Sequence, residues 1–269
     1  CLVGSEMCIR DSIYRESEMR LDRHLAEKFG SRNKAAAAIE RGIVRVNGMI
    51  RPASYDVKEG DVIDVAEEGI SFVSAGGYKL YKALTDFNFS VKDKVFADIG
   101  ASTGGFTDCL LKCGAKKVYC IDVGESQLDK SLMDKNIVVI DNFNARNLRK
   151  DMFEEELDGI TIDVSFISLT YLFEAVCEVL CHAKYVLALI KPQFECGSRA
   201  VGKNGIVRGE QRHREIIDKI YASCISCGLA PMALTNAPEV KGKNLEYVVL
   251  LEKGGEPVQF EKLIAGVKL

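Results

Sequence analysis

From position 186 to 190 the chain reads Val, Leu, Ala, Leu, Ile, and it then passes directly to Lys191 and Pro192. Five apolar residues in a row suit a strand buried within a parallel sheet that is wrapped by helices. Pro192 has no amide hydrogen to give a central ladder, so the strand ends there. Lys191 then stands at the carboxyl edge of the sheet, where an ammonium is costly unless that edge is a working site. The residues that share this edge are the ones to find.

Strand-like and helix-like segments alternate from residue 72 onward, which predicts a doubly wound α/β sheet. Its strands are expected at 95–99, 117–121, 159–162, 186–190 and 246–251. At 269 residues with 47% hydrophobic content, the chain has material for a large domain and a small companion. No apolar run reaches the roughly 18 residues of a membrane span. The ten cysteines sit mostly inside apolar patterns, which suits reduced thiols and a cytoplasmic location. Cys224 and Cys227 form a CxxC, but there is no second pair and the chain has three histidines, so no metal is expected. No extra apolar face is evident, and a monomer is expected.

Residues 1–18 read as a leader outside the fold. Within them Glu6, Met7, Cys8, Ile9, Arg10 and Asp11 resemble the translation of a sequencing adapter. Residues 19–66 form a candidate small domain, 67–71 a polar joint, and 72–269 the large domain. Between Met19 and Arg51 the net charge is +5, although the whole chain is −3. A basic lobe on an acidic protein points to a polyanion. A short helix is expected from Arg20 to Lys28, and a second from an N-cap at Ser31 to Arg41, with Gly42 as the residue that stops it. A strand at 43–46, the turn pair Asn47 and Gly48, and a strand at 62–65 complete the module. Arg20, Leu21, Asp22, Leu25, Ser31, Arg32, Gly42, Asn47 and Gly48 resemble the RNA-binding domain named after ribosomal protein S-four. That resemblance implies that Arg20, Arg23, Arg32, Lys34, Arg41 and Arg45 meet RNA, chiefly through its shape and phosphates.

In the large domain the first strand leads into Gly100, Ala101, Ser102, Thr103, Gly104, Gly105 and Phe106. A glycine turn between strand and helix lets a ligand approach the backbone and the helix N-terminus. The glycines stand first, fifth and sixth, whereas a dinucleotide fingerprint wants the first, third and sixth. Asp98 before the turn would repel a diphosphate but suits a cationic amino-acid group. Asp122, after the second strand, is placed for ribose hydroxyls. Together these residues look like an S-adenosylmethionine site, with a nicotinamide dinucleotide as the competing ligand. Asp141 and Asn142, after the third strand, are the candidates for the adenine side.

The fourth strand delivers Asp163 to the same edge as Lys191, while Lys79 lies at the start of the domain and Glu246 begins the last strand. In order and context, Lys79, Asp163, Lys191 and Glu246 resemble the Lys-Asp-Lys-Glu tetrad of FtsJ-like ribose methyltransferases. With the basic module in front, the chain resembles the TlyA family, known both as haemolysins and as ribosomal RNA cytidine-2′-O-methyltransferases. The resemblance implies a Rossmann-like seven-stranded methyltransferase domain, S-adenosylmethionine as cofactor, and ribosomal RNA or ribosomal subunits as partners. Two positions depart from the pattern: Ala75, where an arginine is expected, and Asn204, where glycine is.

A ribose 2′-hydroxyl is a poor nucleophile and must lose its proton as it attacks. Burial and the like charge of Lys79 favour a neutral Lys191, while Asp163 and Glu246 favour its ammonium. A neutral amine would take the proton; an ammonium would stabilise the developing alkoxide. Residues 196–209, with four glycines and Lys203, suit either a cover over bound RNA or a plain surface loop. His182 is expected in a turn, and His24 and His213 on polar helix faces. Two other classes remain: a cytolytic protein, which no amphipathic membrane segment supports, and an RNA-binding regulator with an inactive methyltransferase fold, which the complete tetrad disfavours.

Overall fold

The structure, a computed structural model, describes residues 19–40, 42–65, 70–133, 135–197, 202 and 205–269. The leader, most of the joint, Arg41, Lys203 and Asn204 lie outside the described residues.

In the small module, β1 (Met19–Arg20), α1 (Leu21–His24), α2 (Arg32–Glu40), β2 (Val44–Val46), β3 (Asp56–Val57) and β4 (Ile63–Val65) follow in order. β2 pairs antiparallel with β4, and β1 with β3. Leu21, Leu25, Ala35, Ile39, Val44 and Val46 close a core of their own. The first helix is shorter than expected and gives way to turns that end at Gly30, where φ is +77°. Ser31 does cap α2, its Oγ accepting the Lys34 N–H at 3.2 Å. Asn47 and Gly48 both take positive φ, as a two-residue reversal requires.

The large domain continues with α3 (Ala75–Asp86), β5 (Val95–Ile99), α4 (Gly105–Lys112), β6 (Lys117–Ile121), β7 (Ile137–Ile140), β8 (Gly159–Ile162), α5 (Phe173–Val179) and β9 (Tyr185–Ile190). Then come α6 (Pro192–Glu195), α7 (Glu210–Ser226), β10 (Leu229–Asn236), β11 (Tyr247–Lys253) and α8 (Phe260–Ile264). Seven strands form one sheet in the order β10-β11-β9-β8-β5-β6-β7. The pairs from β9 to β7 are parallel, and β11 runs antiparallel to both of its neighbours.

Each face of the sheet is covered. Val95, Ala97 and Ile99 point into one apolar cluster, and Phe96 into the other, the period-two alternation of a strand buried on both sides. Strand order reverses between β5 and β8, and a crevice opens there at the carboxyl ends. The edge inferred from Lys191 is this one.

One expectation about the helices fails. His213 is buried in α7, 3% exposed, with Nδ1 2.8 Å from the Tyr247 hydroxyl and Nε2 3.3 Å from the Val207 carbonyl oxygen. Local sequence around His213 is polar, but its partners arrive from β11 and from the chain before α7. The same stretch is tied down by Asn244, whose Oδ1 accepts the Val207 N–H and whose Nδ2 donates to the Gly205 carbonyl, each at 2.8 Å.

Candidate active site

The glycine turn is shaped by what it touches. Gly100 has φ of +81°, and a Cβ there would sit 2.7 Å from the Asp163 carbonyl oxygen, so the backbone after β5 lies directly on the backbone after β8. Ser102 donates its N–H to Asp122 Oδ2, and Gly124 donates to Asp122 Oδ1, both at 2.8 Å. Asp122 thus ties the turn to the end of β6 while remaining on the wall of the crevice.

Two adjoining cavities occupy the crevice. One, of about 390 Å³, is lined by Gly100, Asp122, Val123, Phe143, Asn144 and Ile167, among others. The second, of about 220 Å³, is polar and is lined by Ser74, Gly76, Thr103, Gly105, Phe106 and Lys191. Gly100, Ser102, Asp163 and Ser165 border both.

Asp98 stands beneath this crevice rather than in it. It is 0% exposed, and its carboxylate accepts hydrogen bonds from Thr107 Oγ1 at 2.7 Å and Thr161 Oγ1 at 2.8 Å. Burial pushes the carboxyl up to about 6, against the two threonine hydrogen bonds that pull it down. Its neighbours lie on α4 and β8, so Asp98 holds the turn from below. Gly104 is likewise behind the wall, as the left-handed residue that starts α4. Asp141 and Asn142 do not line either cavity: Asp141 accepts the Ser126 N–H at 2.9 Å, and Asn142 turns the chain with φ of +56°. That turn brings Phe143, Asn144 and Ala145 to the wall instead.

The tetrad gathers as two ion pairs. Lys191 Nζ lies 2.6 Å from Asp163 Oδ1, at an angle outside hydrogen-bond geometry, and donates to Ser165 Oγ at 2.9 Å. Lys79 Nζ donates to Glu246 Oε2 at 2.6 Å. The side chains of Lys191 and Glu246 are 11% and 16% exposed, well below a surface pair, so neither belongs with the weak, solvated bridges of an ordinary surface. Register explains the convergence. Tyr247 pairs with Ile190, so Glu246, one residue before the start of β11, lies beside Lys191, while Asp163 follows β8 on the other flank.

Lys79 comes from α3, which must approach closely. Gly77 and Gly105 make that approach possible: a Cβ on Gly77 would lie 2.9 Å from the Gly105 carbonyl oxygen and 2.4 Å from Phe72 Cβ. Gly76 faces Asp163, with room for a Cβ at 3.4 Å from its Oδ2, and Lys79 follows three residues later on the same side of the helix. Asp108 pins the entry to α3 by accepting the Val73 N–H at 3.0 Å.

Some contributors were not foreseen. Phe166 is 90% exposed at the rim of the larger cavity and holds φ of +66°, a strained conformation for a bulky side chain. Glu195 steadies that stretch: buried, it accepts hydrogen bonds from Ser168 Oγ at 2.5 Å and the Leu169 N–H at 2.8 Å. Its position four residues after Lys191 was the available signal.

On the basic module, Arg20 and Arg32 are half exposed and both bind Asp22. Arg23 and Lys34 are exposed, and Arg45 is exposed with NH1 donating to the Gly48 carbonyl at 3.2 Å.

A seven-stranded sheet in this order, with one antiparallel strand, a glycine turn after β5 and an acid after β6, defines a Rossmann-like methyltransferase fold. Residues 72–253 match the FtsJ-like methyltransferase family, and residues 19–63 match the S4 domain. The chain belongs to the FtsJ-like methyltransferase family. Hemolysin A of Brachyspira hyodysenteriae is 42% identical over 237 residues, covering 86% of this chain and 98% of that protein. The 23S rRNA (cytidine-2′-O)-methyltransferase TlyA of Campylobacter jejuni subsp. jejuni is 32% identical over 254 residues, covering 85% and 97%. A solved structure carrying a hemolysin name, from Streptococcus thermophilus, has 34% identity and a TM-score of 0.69, covering 92% of this chain and 94% of that one. Among the described residues no helix is long and apolar enough to cross a membrane.

Proposed function

We propose that this chain methylates a ribose 2′-hydroxyl of ribosomal RNA, at cytidine, with S-adenosylmethionine as methyl donor. The observation that carries the reading is the Lys191–Asp163 pair on the rim of a cavity bordered by the glycine turn. The larger cavity suits the donor's nucleoside, with an apolar wall for a base and the Asp122 carboxylate for ribose hydroxyls. Gly100 and Ser102 border both cavities, so the backbone of the turn is open to close contact with the rest of the donor. When bound, S-adenosylmethionine supplies an electrophilic methyl group on a positively charged sulfur.

Lys191 keeps an N–H for a substrate oxygen after serving Asp163 and Ser165. As the 2′-oxygen attacks, the Lys191 N–H steadies its developing charge and its proton passes to the Asp163 carboxylate, whose Oδ1 has no hydrogen-bond partner, so the pair gains the positive charge that the sulfur loses. Glu246 and Lys79 neutralise each other beside that pair and set the field in which the oxygen develops charge. Holding both reactants at fixed distance supplies much of the remaining acceleration. Arg20, Arg23, Arg32, Lys34 and Arg45 dock the structured RNA through its phosphates.

Transfer of labelled methyl to ribosomal subunits tests the reading. Wild-type protein incorporates label at a nucleotide that resists alkaline cleavage, and replacement of that nucleotide by its 2′-deoxy form abolishes incorporation. Label on a base would overturn it. Leakage of dye-loaded liposomes without any methyl transfer would favour a cytolytic activity.

A further inference from the structure

Among the described carboxylates of the basic module, Asp22 is the buried one, with its side chain 5% exposed. Its Oδ1 and Oδ2 accept from Arg20 Nε at 3.2 Å and Arg20 NH2 at 3.0 Å, and Oδ2 also accepts from Arg32 Nε at 3.0 Å. The backbone that carries it is fixed: the Leu21 N–H donates to the Tyr55 carbonyl at 2.7 Å, the Asp22 N–H to the Ala53 carbonyl at 3.0 Å, and Leu21 is 0% exposed. The two arginine side chains are 46% and 55% exposed. Arg20 therefore spends its Nε–NH2 edge on Asp22 and Arg32 its Nε alone, and each keeps its remaining donors for solvent or a ligand. Arg32 is also the first residue of α2, beside the Ser31 cap and exposed Lys34, so this pair of forks sits at a helix N-terminus suited to anions.

Free arginine side chains lose much rotamer freedom when they bind phosphate. Two that are already held lose less. We infer that Asp22 is a positioning residue of the RNA interface: it presents Arg20 and Arg32 as a rigid pair of phosphate-binding forks. This rests on the reading that the module docks on RNA. The sign of its effect is the distinctive part. By net charge alone, removing Asp22 takes a negative charge away from an RNA-binding surface and tightens binding. By positioning, it weakens binding.

The test is the salt-dependent affinity of the full chain for purified ribosomal RNA. Asp22→Asn is expected to bind about tenfold more weakly than wild type, with a shallower dependence on salt, because up to two phosphate contacts are lost. In a background carrying Arg20→Ala and Arg32→Ala, the same substitution is expected to change nothing further, which a general loss of structure would not reproduce. Circular dichroism melts follow the fold. A second variant, Arg20→Lys with Arg32→Lys, conserves charge but removes the forks, and it is expected to lose affinity about as much as Asp22→Asn. It decides the matter should Asp22→Asn lose its fold. Equal or tighter binding by folded Asp22→Asn, or wild-type binding by the double lysine variant, overturns the inference. No salt-dependent binding by the wild type would instead remove the RNA-docking reading, and this inference with it.

Discussion

Asp98 offers a sharp test of how the crevice is supported. Its carboxylate is fully buried beneath the glycine turn, and burial raises it from 3.8 to about 6. A group raised in the folded state contributes stability that is complete below its unfolded value and is lost as pH rises through its folded value. The window therefore runs from about pH 4 to about pH 6, and the loss across it is about 3 kcal/mol. Asp98→Asn removes the titration but can still accept from one threonine, while its amide donates to the other. Urea unfolding of both proteins, followed by circular dichroism because the chain has no tryptophan, measures the difference at each pH. Asp98→Asn should gain on wild type by about 3 kcal/mol between pH 4 and pH 7 and run parallel to it above that. A difference that stays constant across the window, or a wild type that gains on the variant, would refute the assignment of Asp98 as a buried, raised carboxyl.

Further predictions concern the wall, the tetrad and the helix that brings Lys79. Lys191→Ala should lower methyl transfer by about 1,000-fold with S-adenosylmethionine binding retained, as single-turnover assays and calorimetry would report. Asp122→Ala should weaken S-adenosylmethionine binding by about tenfold or more, because it strips partners from two backbone N–H groups and from the ligand, whereas Asp141→Ala, which acts on Ser126, should change it by less than about threefold. Gly77→Ala places a Cβ 2.4 Å from Phe72 Cβ and 2.9 Å from the Gly105 carbonyl, so α3 must shift. Overpacking of this kind costs about 1–3 kcal/mol, seen as a Tm lower by roughly 3–10 °C and a fall in kcat as Lys79 leaves Glu246.

What could be read in advance depended on how local the physics was. The strands at 95–99, 117–121 and 159–162 carry their own signal in short apolar runs closed by Gly or Asp, and they match β5, β6 and β8 residue for residue. The Asp163–Lys191 pair was legible as well, since strand ends in a wound sheet share one edge; the pairing of Glu246 with Lys79 was not, because Lys79 arrives from α3 rather than from a strand end. Asp98 looked like a ligand contact because a strand-end acid gives no sign of Thr107 and Thr161, which reach it from another helix and another strand. His213 misled for the same reason: α7 is polar around it, and Tyr247 lies 34 positions away. The adenine-side candidates missed the wall by one or two residues because Asn142 turns the chain with positive φ, which polarity alone does not reveal. Phe166 gave no signal; its exposure follows from a left-handed backbone that Lys191 and Glu195 hold on either side.

In the proposed reaction, Lys191 and its partners act on a ribose 2′-oxygen of ribosomal RNA. Mapping 2′-O-methyl marks across ribosomal RNA, in cells that lack the protein and are supplied with wild type or Lys191→Ala, tests it most directly. At least one 2′-O-methylcytidine should appear with wild type and be missing with Lys191→Ala. Identical maps from the two would contradict it.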